Sequence, residues 1–291
     1  MFDQFDVIRS APMSEYTTLR LGGPADYLAT PASPEEVAAL LAEARANGIP
    51  VTVIGRGSNL LVLDGGIRGL VMRIGKPLSR VTVRGNRLRA QAGAMLSAVA
   101  VSAADADLSG LEFASGIPGM VGGGIRMNAG AYGGELSQTV TEVSGVLPDG
   151  TLRTFAAEEM AFGYRRSAVD ALGLIVTEAV FSLENGERAA IRARMAELNA
   201  RRAEKQPLDV PSAGSTFKRP EGAYAAALID QCGLKGYTIG GARVSVKHAG
   251  FLVNTGSSAA DYLALVRHVQ QVVAERTGIT LEPEIRILGE A

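Results

Sequence analysis

The chain is poor in the groups that most often announce a chemistry. Of its 291 residues one is cysteine, Cys232, and two are histidine, His248 and His268. A single thiol excludes an internal disulfide, and so few thiols and imidazoles disfavour a Cys/His metal site. Neither sign of charge is in excess: 29 Lys+Arg face 30 Asp+Glu, a formal net charge of -1. Nucleic acid is therefore not an expected partner, because counterion release needs clustered basic residues. Long apolar runs are missing too. The longest uncharged stretch, residues 90–104, is too short and too broken by Gly and Ser to span a bilayer. The opening MFDQFDVIRS puts charges where a signal peptide needs an apolar core, so a cytoplasmic protein without membrane insertion is expected. GRGSNL at 55–60 fails G-x-G-x-x-G at its last position, and no Gly-Lys is followed by Ser or Thr, which disfavours Rossmann and P-loop enzymes. No repeat or low-complexity tract is present.

What the chain has in excess is glycine, 35 residues, against a usual share of about 7%. With 47% hydrophobic residues and this length, two domains and small-molecule chemistry are the starting expectation. Ser33-Pro34-Glu35-Glu36 reads as a capping box opening a helix that Gly48 stops. Short apolar runs VTVI, LLVL and GLVMRI follow as strands, the first two joined by GRGSN. VTVRGNRLRAQAG reads as two strands around Gly85-Asn86, residues 95–106 as an apolar helix, and TVTEVSGVLPDGTLRTF as a hairpin about Pro148-Asp149-Gly150. LIVTEAVFSL at 174–183 is a further strand. The charged helix 187–205 ends at Gln206-Pro207, which marks a domain boundary; its Arg192, Arg194, Arg201, Arg202 and Lys205 read first as a solvated face and second as an anion patch. A helix near 223–232, an FLVN strand, a helix capped by Ser258 and Asp261 and ended by Gly278, and a final strand ITLEPEIRIL complete an α+β chain.

Several segments carry candidate chemistry. GRGSN suits an anion nest, with glycines turning N–H groups outward and Ser58 and Asn59 adding donors, or equally a tight strand connection. The glycine-dense stretch 115–135 has neither helical nor strand period, so it is read as backbone lying against an extended ligand rather than as a helix or strand interior. Tyr164-Arg165-Arg166-Ser167 offers an arginine fork for a carboxylate or phosphate, unless it is merely solvated. Ser212 to Pro220, SAGSTFKRP, joins Ser, Lys and Arg around a glycine, as an anion site, an activated hydroxyl or a cap. In ITLEPEIRIL, period-2 alternation puts Glu282, Glu284 and Arg286 on one face and Leu281, Ile285 and Ile287 on the other.

Together these fragments resemble the UDP-N-acetylenolpyruvoylglucosamine reductase family along nearly the whole chain. The resemblance is carried by TTLRLGGPADYL at 17–28, IGRGSNLLV at 54–62, SGIPGMVGGGIRMNAGAYGGE at 115–135 and FGYRRS at 162–167. SAGSTFKRP, ALIDQCGLKGYTIGGARVS at 227–245, KHAGFLVN at 247–254 and LEPEIRILG at 281–289 extend it to the C-terminus. YRRS runs directly into LIVTEAVFSL without the tyrosine-bearing insertion of one branch, so the chain resembles the shorter, second type. The implied fold is α+β of the vanillyl-alcohol-oxidase (PCMH) type: FAD-binding subdomains 1–78 and 79–205, then a C-terminal substrate-binding domain 206–291.

The resemblance implies FAD as cofactor and NADPH as hydride donor in a ping-pong cycle that reduces UDP-N-acetylglucosamine enolpyruvate to UDP-N-acetylmuramate. A monomer without nucleic-acid partner is expected. Cofactor contacts fall on Gly55, Arg56, Gly57, Ser58, Asn59 and Leu60, and on Ser115, Gly116, Ile117, Pro118, Gly119, Gly122, Gly123, Asn128 and Gly130. Ser215 matches the general acid, Arg165 the clamp on the substrate carboxylate and Glu284 the catalytic glutamate. Tyr164, Lys218, Arg219, Lys235, His248 and Asn254 match substrate contacts. The alternatives are another FAD-dependent oxidase or dehydrogenase of the same fold, and a non-catalytic UDP-sugar-binding protein.

Overall fold

The computed structural model describes residues 2–256 and 258–291. By contacts the chain divides into two units: Met1–Ile8, Leu28–Arg56 and Gly69–Arg202 form the first, and Arg9–Tyr27, Gly57–Arg68 and Ala203–Ala291 the second. The expected boundary at 205–206 lies close to the last crossing, at Arg202. The expected cut at 78–79 falls inside the first unit. Residues 9–27 and 57–68 join the C-terminal residues, the latter through strand pairing.

In the first unit the helix Pro34–Ala46 starts as its sequence dictates. The Ser33 hydroxyl accepts from Glu36 N at 3.1 Å, and Glu36 reaches back to Ala32 N at 2.7 Å rather than to the cap residue itself. The strands Val51–Ile54 and Ile67–Arg73 pair in parallel, Val51 opposite Leu70. A five-stranded antiparallel sheet follows in the order Leu152–Ala156, Val140–Val146, Ile175–Ser182, Arg87–Gln91, Val81–Arg84. The strand Ile175–Ser182 is buried on both faces along most of its length, which its apolar run requires at the centre of a sheet. Asp149 Oδ1 accepts from Thr151 N at 2.9 Å and Gly150 takes φ +90°, so the Pro148-Asp149-Gly150 turn forms as read.

The glycine-dense stretch departs from expectation. Val121–Met127 is an α-helix with Gly122, Gly123 and Gly124 inside it, and it packs on the strand Ile175–Ser182. Two of the glycines permit close packing on its other neighbours: a Cβ on Gly124 would lie 2.9 Å from Leu136 and 3.1 Å from Leu96, and one on Gly122 3.1 Å from the Ala92 Cβ. Helical period is invisible in the sequence here because close packing has removed the side chains that would display it.

The second unit is organised around the helix Ala259–Thr277, whose Tyr262, Leu265, Val266, Val269 and Val273 enter a core shared with Leu19, Leu61, Phe217, Ile229 and Leu252. Its N-terminus is capped by Ser258 and also by Asp64, which accepts from Ala259 N and Ala260 N, both at 3.0 Å. A three-stranded sheet, Thr238–Ile239, Ala242–Val244 and Leu252–Asn254, lies in the same unit. The strand Leu60–Val62 pairs in parallel with Arg286–Leu288, and this pairing assigns 57–68 to the C-terminal residues. The final strand is shorter than expected, and Ile287 is exposed rather than alternating inward with Leu281 and Ile285. Pro283 lacks a ladder donor but sits at the bridge to Phe217, where none is needed: Lys218 N donates to Glu282 O, Glu284 N to Thr216 O, and only from Arg286 onward does the segment join Leu60–Val62.

Gly124→Val is expected to destabilise the protein by about 1–3 kcal/mol through overpacking, read as a lower urea midpoint. An unchanged midpoint would mean that the Leu96 and Leu136 side chains yield freely.

Candidate active site

The candidate residues are distributed over both units, and each set stands on its own geometry. In the first unit, Tyr164 and Arg165 are the central residues of a tight turn closed by Gly163 N to Arg166 O at 3.1 Å and Arg166 N to Gly163 O at 3.2 Å. Arg165 takes φ +56°, a left-handed conformation that a non-glycine residue adopts at a cost of about 1 kcal/mol or more. Its guanidinium lies 5.3 Å from the Tyr164 ring centroid and Nη2 donates to Gly130 O at 3.4 Å. Asn128, the left-handed C-cap of the helix Val121–Met127, is buried, accepts from Ser137 N at 2.9 Å and donates through Nδ2 to Gly163 O at 3.3 Å. The Asn128 amide, expected at a cofactor, thus binds the turn that carries Arg165.

The glycines of this unit fall into two kinds. A Cβ on Gly130 would sit 2.7 Å from Gly134 O, so backbone demands glycine there, whereas one on Gly116 would meet the side chains of Asn199, at 2.5 Å from Oδ1, and Arg202. At Gly123 a Cβ would meet nothing within 4 Å, and at Gly55 only Met120, at 3.6 Å. Open space beside bare backbone is what a flat ring or a phosphate needs. Gly119 O accepts from Leu96 N at 3.0 Å, Ile117 N donates to Ala114 O at 3.1 Å, and Pro118 between them is exposed. Ser115, largely buried, donates to Asn199 Oδ1 at 3.3 Å; exposed Arg56 donates through Nη1 to Met95 Sδ at 3.4 Å. Arg202, read from sequence as part of a solvated face, folds back instead: Nη1 donates to Gly116 O at 2.6 Å, and desolvation pulls its pKa down from the usual guanidinium range, opposed by Tyr132. Sequence reasoning missed it because helix periodicity ranks a charged residue by exposure and gives no sign of a distant carbonyl.

In the second unit, Gly57 takes φ +71°, and a Cβ there would stand 2.2 Å from Tyr16 O. Glycine is required at 57 by the Tyr16–Thr17 backbone, whatever binds at the loop. Asn59, expected as a nest donor, donates through Nδ2 to Glu284 O at 3.0 Å, while its own carbonyl accepts from Arg286 N at 2.9 Å. Ser58 is half-buried and Leu60 opens the strand paired with Arg286. Glu284 N donates to Thr216 O at 2.8 Å, so Ser215, exposed beside Gly214 at φ +77°, lies one residue from the bond that joins the two segments. Thr216 is itself fully buried against Tyr262 Oη at 3.5 Å, and Tyr262 donates to Leu252 O at 3.1 Å. Burial drives the Tyr262 pKa well up, so this phenol is a neutral structural donor.

The expected substrate contacts lie in the same unit. Lys218 pairs with Glu282, Lys235 Nζ donates to Asp230 Oδ2 at 2.6 Å, and Arg219 sits 4.1 Å over the Tyr224 ring centroid. His248 Nδ1 accepts from Gly250 N at 3.2 Å, which leaves the neutral ring's proton on Nε2. Desolvation, seconded by the Lys235 charge, lowers the His248 pKa despite a backbone hydrogen bond that raises it. Asn254 is committed to the fold: Nδ2 donates to Leu19 O at 2.9 Å and Oδ1 accepts from Gly256 N at 2.8 Å. Among the described residues no His/Cys/Asp/Glu cluster could hold a metal ion, and no helix is long and apolar enough to cross a membrane.

The first unit thus carries open glycine backbone at Gly123, and the second a hydroxyl, a carboxylate and cationic side chains. An FAD binding domain model matches residues 25–156, and the model of the UDP-N-acetylenolpyruvoylglucosamine reductase C-terminal domain matches residues 206–288. This is therefore a flavoprotein of the α+β class. UDP-N-acetylenolpyruvoylglucosamine reductases of Levilactobacillus brevis and Clostridium botulinum are 51% and 49% identical, covering 99% and 98% of the chain and 95% and 93% of their own lengths. The crystal structure of the reductase from Thermus caldophilus superposes with a TM-score of 0.84 at 37% identity, covering 98% of this chain and 99% of that one. The chain belongs to the UDP-N-acetylenolpyruvoylglucosamine reductase family.

Gly123→Ala is expected to leave the apoprotein as stable or more so, since alanine in a helix gains up to about 1 kcal/mol over glycine, while weakening FAD binding at least tenfold. Unchanged FAD affinity would remove Gly123 from the cofactor set. His248 should titrate by NMR below the free-imidazole value of about 6.5. Because the unfolded state then takes up the proton more readily than the folded one, His248 should erode stability only as pH falls below that value; a midpoint at or above it would contradict the desolvated environment.

Proposed function

We propose that the chain reduces the enolpyruvyl group of UDP-N-acetylglucosamine enolpyruvate to give UDP-N-acetylmuramate, for peptidoglycan precursor synthesis, with FAD as cofactor and NADPH as reductant. It belongs to a family so named over nearly its whole length, and the FAD binding domain match supplies the cofactor. Bound FAD supplies the two-electron chemistry, taking hydride from NADPH and giving it to C3 of the enolpyruvyl group. The backbone of Gly55 to Leu60 would face the pyrophosphate, with the Asn59 side chain turned to Glu284 O, and the open side of the Val121–Met127 helix at Gly123 would face the flavin.

The chain's own residues have to manage the charge and the proton. Conjugate reduction builds negative charge on C2 and the adjoining carboxylate, and the Arg165 fork is the group suited to hold that carboxylate. Its unfavourable backbone angle supports the assignment, because strain of this kind persists where surrounding structure enforces it. Ser215 would give its proton to C2. A serine hydroxyl is a weak acid, so it serves only toward a strongly basic carbon and only if held in place. The observation that carries the reading is the pairing of the Ser215 segment with the Glu284 segment through Glu284 N and Thr216 O at 2.8 Å. Glu284 would orient or polarise the substrate carboxylate. Lys235, a compact point charge, suits the diphosphate, with Tyr164, Lys218, Arg219 and His248 as further polar contacts; the Asn254 amide, engaged with Leu19 and Gly256, would act by shaping the strand. The reading includes a monomeric, cytoplasmic enzyme without a nucleic-acid partner.

An anaerobic absorbance titration tests the reaction: NADPH should bleach the flavin bands, and the enolpyruvyl substrate should restore them in proportion to the amount added. Bleaching without recovery would overturn the substrate assignment. Ser215→Ala should reduce its flavin with NADPH at nearly the parent rate yet reoxidise orders of magnitude more slowly with substrate, and Arg165→Ala should share the second defect. Equal slowing of both half-reactions by Ser215→Ala would remove it as the acid.

A further inference from the structure

The loop 57–60 is tied to the Ser215–Glu284 segments at two separate points, by side chains to which neither a catalytic nor a ligand contact need be given. Thr18 makes the first tie. Its N–H donates to Gly57 O at 3.2 Å, its hydroxyl donates to Ser212 O at 2.6 Å, and the same hydroxyl lies 3.4 Å from Gly57 O. Asn59 makes the second, with Nδ2 donating to Glu284 O at 3.0 Å while Asn59 O accepts from Arg286 N at 2.9 Å. Ser212 begins the segment that leads to Ser215, and Glu284 N returns to Thr216 O at 2.8 Å. All these bonds lie within the second unit.

From this geometry we infer that Thr18 and Asn59 are positioning residues for proton delivery: they clasp the loop 57–60 to the backbone ahead of Ser215, at Ser212, and to the Glu284 segment paired with Thr216, and so fix the serine hydroxyl and the Glu284 carboxylate. The inference rests on the reading of Ser215 as general acid. It assigns the Asn59 amide to the Glu284 strand rather than to a cofactor phosphate. A weak acid gains most from being held, because a hydroxyl that swings through several orientations spends little of its time at the carbon. Loss of one tie leaves the fold's apolar core untouched but frees one end of the acid's segment. The first half-reaction uses no proton from Ser215, so the two half-reactions should respond differently.

The test is single-turnover absorbance on FAD-loaded Thr18→Val, which is isosteric but lacks the hydroxyl, beside Thr18→Ser, which keeps it. Thr18→Val should hold its flavin and be reduced by NADPH within twofold of the parent rate, yet be reoxidised by UDP-N-acetylglucosamine enolpyruvate at least tenfold more slowly. Thr18→Ser should recover to within threefold of the parent. Reoxidation of the valine variant at the parent rate, equal slowing of both halves, or a serine variant as slow as valine would overturn the clasp. Should Thr18→Val not fold, Asn59→Ser reads the other tie: retained flavin with slow reoxidation supports the inference, whereas loss of flavin with normal reoxidation after FAD is replenished returns Asn59 to the cofactor phosphate. A parent enzyme that is not reoxidised by the substrate at all would instead sink the functional reading.

Discussion

The backbone of one residue organises the candidate chemistry of the second unit: Glu284, whose N–H is given to Thr216 O and whose carbonyl accepts the Asn59 amide. Both hydrogen-bonding groups of a residue in an irregular segment are satisfied, which leaves its side chain to be directed rather than left to wander. The satisfaction is possible because the pairing with residues 216–218 runs past Pro283 to Glu284 and a new one begins at Arg286, so that Glu284 falls next to the change of partners. A regular strand would have offered those groups to a single neighbour on each side; the break admits a side chain, Asn59, where a backbone donor would have stood.

The first unit repeats the device with different parts. Asn128 gives its amide to Gly163 O and thereby holds the turn in which Arg165 takes a positive φ. In both units an asparagine drawn from a glycine-rich segment is committed to the carbonyl of a residue at or beside a candidate catalytic group. The short amide suits the task for a physical reason: it reaches across one chain spacing with donors in a fixed plane, and asparagine tolerates the left-handed conformation that Asn128 adopts at the helix end. Buried or half-buried, such a bond is also expensive to leave unmade, so it resists loosening.

How much of this was legible in the sequence depended on whether the controlling interaction was local. The capped helix at Pro34, the Pro148-Asp149-Gly150 turn and the central strand Ile175–Ser182 are set by near neighbours and by burial, and they read correctly. The helix Val121–Met127 did not, because three glycines carry no period. The sequence pattern ranks Arg202 with a solvated face because the deciding atom, Gly116 O, is remote in sequence, and the packing of Gly57 on Tyr16 O is hidden for the same reason. The amides of Asn59 and Asn254 serve Glu284 O and Leu19 O, partners that no local pattern announces. A motif names candidate residues but does not say toward what a side chain points.

The two populations of glycine follow from the same distinction and bear on what a site of this kind demands. Gly57, Gly130 and Gly124 are glycine because protein atoms occupy the place of a side chain, whereas a Cβ on Gly123 would meet no protein atom within 4 Å and one on Gly55 only Met120. Selection for folding alone would favour alanine at Gly123, where a helix gains from it and nothing obstructs it. The proposed function supplies a reason for the bare helix face: the flat ring of the cofactor would lie against it, and the closer packing at Gly122 and Gly124 on either side makes that face rigid. Under the same proposal the fixed hydrogen bonds at Arg165 in the first unit and at Glu284 in the second act alike, since weak groups accelerate a reaction only where they are held still.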